Sequence, residues 1–373
     1  MGLSIGAGFS VGAGFTYITP IPTNWIVIAG GPYSTAAIQN NNTLWTIGQN
    51  AYGQLGNNTS TNFSSPIQVG AATSWATVAC GYGFTAGIQS NGTLWTCGYN
   101  NYGQLALNNT LNYSIIIRVG ALSNWSQVSC GYQFASAVKT DGTLWSWGRN
   151  LYGQLGTSNQ TNYSSPVQVG ALTNWSQISC GITNASAIKT DGTLWSWGRN
   201  GAGTLGLNTS TSYSSPVQVG NLSSWAQISL GTGSFAIAIQ SNGTLWAWGN
   251  NNVGQLGLNT LASAYSSPVR VGNLSTWTRV ACGQLHVLAI QNDGTLWAWG
   301  QNNVGQLGNN STFDQSSPVQ IGALTTWTRV ACGYGSSLAL QTGGSLWGWG
   351  NEPYGSLGLN TVTAFSSPVQ VLP

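Results

Sequence analysis

Tryptophan recurs along this chain at a nearly fixed interval. A Trp preceded by Asn, Ser or Thr stands at Trp25, Trp75, Trp125, Trp175, Trp225, Trp277 and Trp327, in steps of 50 residues and one of 52. Each is followed 20 or 21 residues later by a Leu-Trp pair, ending at Trp45, Trp95, Trp145, Trp195, Trp246, Trp297 and Trp347. A unit of this length cannot bury a large aromatic face alone and must stack on its neighbours. Repeats of this period with paired aromatics belong to radially arranged β structures.

The third unit shows how one repeat is built. Trp125-Ser126-Gln127-Val128-Ser129 and the run from Ala135 to Thr140 alternate as strands do, with Gly131 between them. Asp141-Gly142 reads as a two-residue hairpin turn of the type that needs positive φ at both central positions. Asn91-Gly92, Asp191-Gly192, Asn242-Gly243, Asp293-Gly294 and Gly343-Gly344 repeat it, and Asn41-Asn42 takes its place in the first unit. Leu144-Trp145-Ser146-Trp147 is a third strand whose tryptophans, two apart, share a face. The first two units carry Ile47 and Cys97 at the second Trp position, and the repeat absorbs all 19 tryptophans. Gly153-Gln154-Leu155-Gly156 turns the chain, and Ser164-Ser165-Pro166-Val167 starts a fourth strand at an edge, where proline's missing N–H costs nothing. Helical periodicity is absent. The expected fold is all-β: a seven-bladed β-propeller of four-stranded antiparallel blades.

The proline segment occurs eight times, near Pro20, Pro66, Ile116, Pro166, Pro216, Pro268, Pro318 and Pro368. The surplus copy predicts that residues 17–22 meet residues 365–371, so that N- and C-terminal half-units close one propeller over 17–373. Residues 1–16 form a separate Gly-rich arm in which Ser4-Ile5-Gly6-Ala7-Gly8-Phe9 is copied as Ser10-Val11-Gly12-Ala13-Gly14-Phe15. Extended, such a segment can add to a neighbouring sheet, with Phe9 and Phe15 as anchors.

Composition narrows the function. Charged residues are 3% of the 373, and the eight Lys and Arg are too scattered to track a phosphate backbone, which argues against nucleic acid. No basic residue precedes Arg118, so a cleaved secretory signal is not expected, nor is the Gly-rich start a membrane span. Cys80, Cys130, Cys180, Cys282 and Cys332 occupy one repeat position, filled by Gly30 and Leu230 elsewhere. Rotation relates such positions, so structural thiols are expected ahead of disulfides or a metal ring.

Trp147-Gly148-Arg149-Asn150-Leu151-Tyr152-Gly153-Gln154-Leu155-Gly156, with Cys130-Gly131 and Asp141-Gly142-Thr143-Leu144-Trp145 before it, resembles the regulator of chromosome condensation repeat family. The resemblance covers about 95% of the chain and implies the same propeller, used to present loops to protein partners for nucleotide exchange, β-lactamase inhibition or scaffolding. The eukaryotic exchange factors usually carry His shortly after Cys-Gly. Here only His286 does, while Ser34, Phe84, Phe134, Asn184, Phe235 and Ser336 fill the other positions. Exchange activity is therefore not expected.

No catalytic, cofactor-binding or metal-ligating set can be assembled. Three of the five acidic residues, Asp141, Asp191 and Asp293, are turn residues, and the only other pair is Asp314 and Glu352. His286 is the sole imidazole, and no Gly-x-Ser-x-Gly elbow occurs. The reading is a non-enzymatic interaction and structural module without cofactors. Its expected setting is extracellular or virion, as a surface or tail-fibre component of a bacteriophage or other virus particle whose partners are neighbouring subunits. A bacterial regulatory or inhibitory propeller with one protein partner, or one binding cell-surface glycan, are the alternatives. Tyr52, Tyr102, Tyr152 and Tyr354 are the expected contact residues, because Ala202, Val253 and Val304 at the same turn show that the scaffold does not require an aromatic ring there.

Overall fold

The structure, a computed structural model, describes residues 24–351 and 353–371. Those residues form seven four-stranded antiparallel sheets, each made of four strands consecutive in sequence. In the third blade the strands are Trp125–Cys130, Phe134–Lys139, Leu144–Gly148 and Tyr163–Gln168. Equivalent residues of all seven first strands, from Gly30 through Cys80, Cys130, Cys180, Leu230, Cys282 and Cys332, line one cavity of about 110 Å³. The first strands are thus innermost, around the axis, and the proline-bearing strands form the outer rim.

Two irregularities recur in every blade. A bulge follows the first Trp, as between Trp25 and Val27, and offsets that indole from the ladder. A second shift opposite the outer strand, between Ser146 and Gly148, accommodates Pro166 where ladder donors are not needed. The hairpin between the second and third strands differs from the two-residue turn expected. Gly142 N–H donates to Lys139 O and Lys139 N–H to Thr143 O, enclosing a three-residue loop in which Gly142 (φ 75°), and not Asp141, has positive φ. The aspartate instead caps the turn. Its Oδ1 accepts from Thr143 N (2.9 Å) and Thr143 Oγ1 (2.6 Å), and that hydroxyl accepts from Trp145 Nε1 (2.8 Å). The motif Asp-Gly-Thr-Leu-Trp is therefore one hydrogen-bonded chain.

The core lies between blades. One cluster joins Phe134, Val138, Leu144 and Leu155 of the third blade to Trp175, Ala185 and Trp197 of the fourth. Burying side chains of this size contributes about 1.5–3 kcal/mol each. The second Trp locks each joint: Trp147, Trp197, Trp248, Trp299 and Trp349 donate Nε1–H to a backbone carbonyl of the preceding blade at 2.9–3.1 Å. Where Cys97 replaces Trp, its thiol reaches the equivalent Gln54 O at 3.5 Å. The axial thiols do likewise, Cys80 to Ala29 O and Cys130 to Ala79 O, both at 3.7 Å. All six cysteines are free, the five axial ones at the rotation-related positions and Cys97 at a blade joint.

The joint between the seventh and first blades matches the others. Trp25 N–H donates to Gly344 O (2.9 Å) as Trp125 N–H does to Gly92 O (3.0 Å), and Asn360 N–H donates to Ser64 O (3.0 Å). Trp25 and Ala37 pack with Leu338, Leu346 and Val371 in one cluster. The ring is closed among the described residues. The expected partner of residues 365–371, residues 17–22, lies outside them, as does the arm with Phe9 and Phe15.

Candidate functional site

The long loop between third and fourth strands is rich in Asn because it is wired internally. Buried Asn50 accepts from Leu55 N (2.9 Å) and donates Nδ2–H to Thr59 O (3.0 Å), while its own N–H meets Asn62 Oδ1 (2.8 Å). Asn100, Asn150, Asn200, Asn251 and Asn302 accept from the corresponding Leu N–H. In the sixth blade Asp314 supplies the cap on Asn302 N–H at 2.7 Å. That carboxylate is a loop fastener, and Glu352 lies outside the described residues. The amides thus satisfy one another and set the loop's shape.

That shape holds Tyr52, Tyr102, Tyr152 and Tyr354 half-buried on one face of the ring, each leaning toward the next blade. Tyr52 lies over Gly83, where a Cβ would come within 2.8 Å of its ring, and tilts against Tyr99 at 4.7 Å. The Arg149 guanidinium sits 5.1 Å from the Tyr102 ring centre and donates to Gln133 Oε1 at 2.8 Å. Arg199 lies 5.0 Å from Tyr152. Tyr354 meets Tyr33 edge-on at 5.4 Å across the ring closure.

The expected four are joined by tyrosines that sequence reasoning did not single out. Tyr33 also meets Tyr334 at 5.4 Å, and Tyr82 stacks on Tyr132 at 4.2 Å. Tyr33, Tyr82, Tyr132 and Tyr334 come from the short connection between first and second strands, beside the axial opening. Ile182, Thr232 and Gln284 stand there in the fourth to sixth blades. Burial and the neighbouring phenols raise Tyr132 to about 12 and raise Tyr33, Tyr99 and Tyr334 as well, so these rings stay neutral at physiological pH. The available signal was angular: tyrosine fills both positions in units seven, two and three, and unit one between them carries Tyr52 with Tyr33 one residue beyond the equivalent Pro32, a run broken by the chain ends when read linearly.

His286 is fully buried, with Nε2 at 3.0 Å from Ser337 Oγ, and burial lowers it to about 4. It stands where three other blades place Phe, as a core side chain. Among the described residues no group of three His, Cys, Asp or Glu side chains converges as metal ligands do.

A family model described as "RCC1-like domain" matches residues 16–278, and models described as "Regulator of chromosome condensation (RCC1) repeat" match residues 293–340, 277–306 and 327–356. The probable E3 ubiquitin-protein ligase HERC3 of Homo sapiens is 39% identical over 74 residues, 19% of this chain and 7% of that protein. A Danio rerio RCC2 homolog is 36% identical over 81 residues, 21% of this chain and 16% of that protein. The alignments thus span a small part of the curated relatives. Human WBSCR16 superposes with a TM-score of 0.79 at 23% identity, covering 89% of this chain and 93% of that one. Yeast RCC1 (Prp20), in its complex with Kap60, superposes with a TM-score of 0.80 at 18% identity, covering 94% and 85%. These structures share the fold.

Proposed function

The chain belongs to the RCC1-like domain family, and from that premise we propose that it is a non-enzymatic protein-binding module whose contact surface is the tyrosine-lined arc of one face, from the seventh blade through the third. One observation carries the reading. The seven blades are built alike, yet aromatic and cationic side chains crowd one arc while Ala202, Val253 and Val304 occupy the same turn in the rest. Packing does not demand these rings, whereas binding uses them: Tyr and Arg dominate interface hot spots, and rings already stacked lose little side-chain entropy on binding. Structural relatives with protein partners support the class. Yeast Prp20p is described with its binding to Gsp1p and histones, and with Kap60.

The test is site-specific photocrosslinking in the native source. A benzophenone amino acid at position 52, 102 or 354 should capture one and the same protein, and at 202 or 253 should not. Equal capture from both arcs, or none from the tyrosine arc, refutes the assignment. A narrower proposal places the module outside the cell on a virus particle, with neighbouring subunits as partners. Its support is compositional: the 3% charge and the Gly-rich hexads at residues 4–15. Imaging of native particles labelled on this chain tests it, and a free one-to-one complex contradicts it.

A further inference from the structure

At the other end of the axis the same circular comparison exposes a second asymmetry. The third residue of the innermost strand is Val27, Thr77, Gln127, Gln177, Gln227, Arg279 and Arg329 in blade order. The glutamines are clamps between neighbouring inner strands. Gln127 Nε2 donates to Ser176 O (2.6 Å), Gln177 Oε1 accepts from Ile228 N (2.8 Å), and Gln227 bonds both Val280 O (3.0 Å) and Val280 N (3.2 Å). In the sixth and seventh blades arginine stands instead. Both side chains are exposed, neither guanidinium makes a hydrogen bond or ion pair among the described residues, and both line one cavity of about 130 Å³ with Ile28, Gln227 and Val330. Two like charges converge there without a counter-charge.

That cavity adjoins a cleft of about 480 Å³, which shares Arg279 and Gln227 and runs out between the fifth and sixth blades. Two polar atoms of the cleft wall, both able to donate, lack protein partners. Gln240 is 6% exposed and lines the cleft; its Oε1 is taken by Thr244 Oγ1 at 3.1 Å and its Nε2 has no partner. Nε2 of the equivalent Gln291 and Gln341 has none either, and what sets Gln240 apart is its place beside Arg279 in the cleft wall. Thr276 Oγ1, also buried in this wall, has none either. The carboxylates on this face, Asp141, Asp191 and Asp293, are engaged by their own turn threonines. Unpaired guanidinium groups beside buried, unused N–H and O–H donors form the complement of an oxyanion, since buried donors lacking acceptors are otherwise costly.

We propose that Arg279 and Arg329, with Gln240 and Thr276, form a binding site for a small phosphate-class polyanion at this end of the axis, away from the tyrosine arc. Both guanidinium groups reach solvent, so their repulsion costs little when the site is empty, although partial burial and the charge of Arg279 lower the pKa of Arg329. A bound anion stabilises the fold by mass action.

The experiment is calorimetric titration of the intact chain with inorganic tripolyphosphate at fixed, moderate salt. A thermal melt of each variant accompanies it. One-to-one saturable binding is expected, with affinity falling about tenfold in Arg279→Gln and in Arg329→Gln and unchanged in Arg118→Gln on the outer rim. Without anion, Arg329→Gln should melt at or above the parent, and tripolyphosphate should raise the melting points of the parent and of Arg118→Gln by more than those of Arg279→Gln and Arg329→Gln. A parallel titration with an oligo-glutamate peptide of equal charge separates phosphate from carboxylate, and tighter peptide binding contradicts the assigned ligand class. Absence of saturation at millimolar anion, or equal weakening by Arg118→Gln, overturns the site.

Discussion

Replacing the buried indole of Trp197 by phenyl isolates what holds one blade to the next. Trp197 is fully buried, meets Trp175 edge-on at 6.2 Å and donates to Gln154 O at 2.9 Å. Phenylalanine leaves roughly 40 Å³ unfilled, about 1 kcal/mol of cavity cost at ~24 cal/mol per Å³. Lost transfer energy adds about 1 kcal/mol. The carbonyl of Gln154 is then left buried without its donor, a further ~1–2 kcal/mol. Trp349 is equally buried, but when it is replaced by Phe, Gln306 O keeps a second donor, Ser337 Oγ. Ala185 holds the position equivalent to Ser337 and offers no hydroxyl. Trp197→Phe should therefore cost about 3–4 kcal/mol in urea unfolding monitored by tryptophan fluorescence and far-UV dichroism, against about 2 kcal/mol for Trp349→Phe. Thr85 shows what a hydroxyl at the position of Ala185 can do, since its Oγ1 donates to Gln54 O at 2.8 Å. Adding Ala185→Thr in the Trp197→Phe background should recover about 1 kcal/mol by the same bond. Equal losses for the two tryptophans, with no recovery, would refute the carbonyl-clamp account of the joint.

Three further outcomes are expected. Ala106 holds φ 59° where other units have glycine, so Ala106→Gly should stabilise the protein by about 0.5–1 kcal/mol in the same assay. Burial raises Cys80 and Cys282 to about 12 and Cys180 to about 11; thiol labelling at pH 8 should be slow in the native protein and reach all six cysteines in denaturant. His286 at about 4 lies below the ordinary imidazole value, so the unfolded chain takes the proton first. Stability should then fall as pH drops below about 6.5, by roughly 3 kcal/mol near pH 4, and His286→Phe should flatten that slope. The turn carboxylates Asp141, Asp191 and Asp293 are held below their ordinary value by their threonine donors. Their contribution is present above that ordinary value and is lost below it.

Tryptophan spacing made the blades legible because each indole performs the same packing task at each joint. The hairpin was legible as a turn but not in type, since Asp141 and Gly142 serve either a two-residue turn or a capped three-residue loop. Side-chain bonds from Asp141 to Thr143 decide between them. The internal wiring of the Asn-rich loops was not legible, because Asn50 and its equivalents meet their backbone partners only once the loop has folded. Tyr52, Tyr102, Tyr152 and Tyr354 could be picked out because Ala202, Val253 and Val304 replaced them. Tyr33 and Tyr334 could not, because they stand at opposite ends of the chain and become neighbours only when the ring closes. Arg279 and Arg329 were hidden differently: along the sequence they stand among scattered charges, and their convergence needs the axis.

The central functional claim is that the tyrosine arc binds and the bare arc does not. Its most direct measurement replaces the arc's turn residues by those of the other blades, as Tyr52→Val, Tyr102→Val and Tyr152→Ala together, and titrates the photocaptured partner into parent and variant. Affinity should drop at least a hundredfold while the midpoint of urea unfolding shifts little. Undiminished binding by a folded variant would contradict the account.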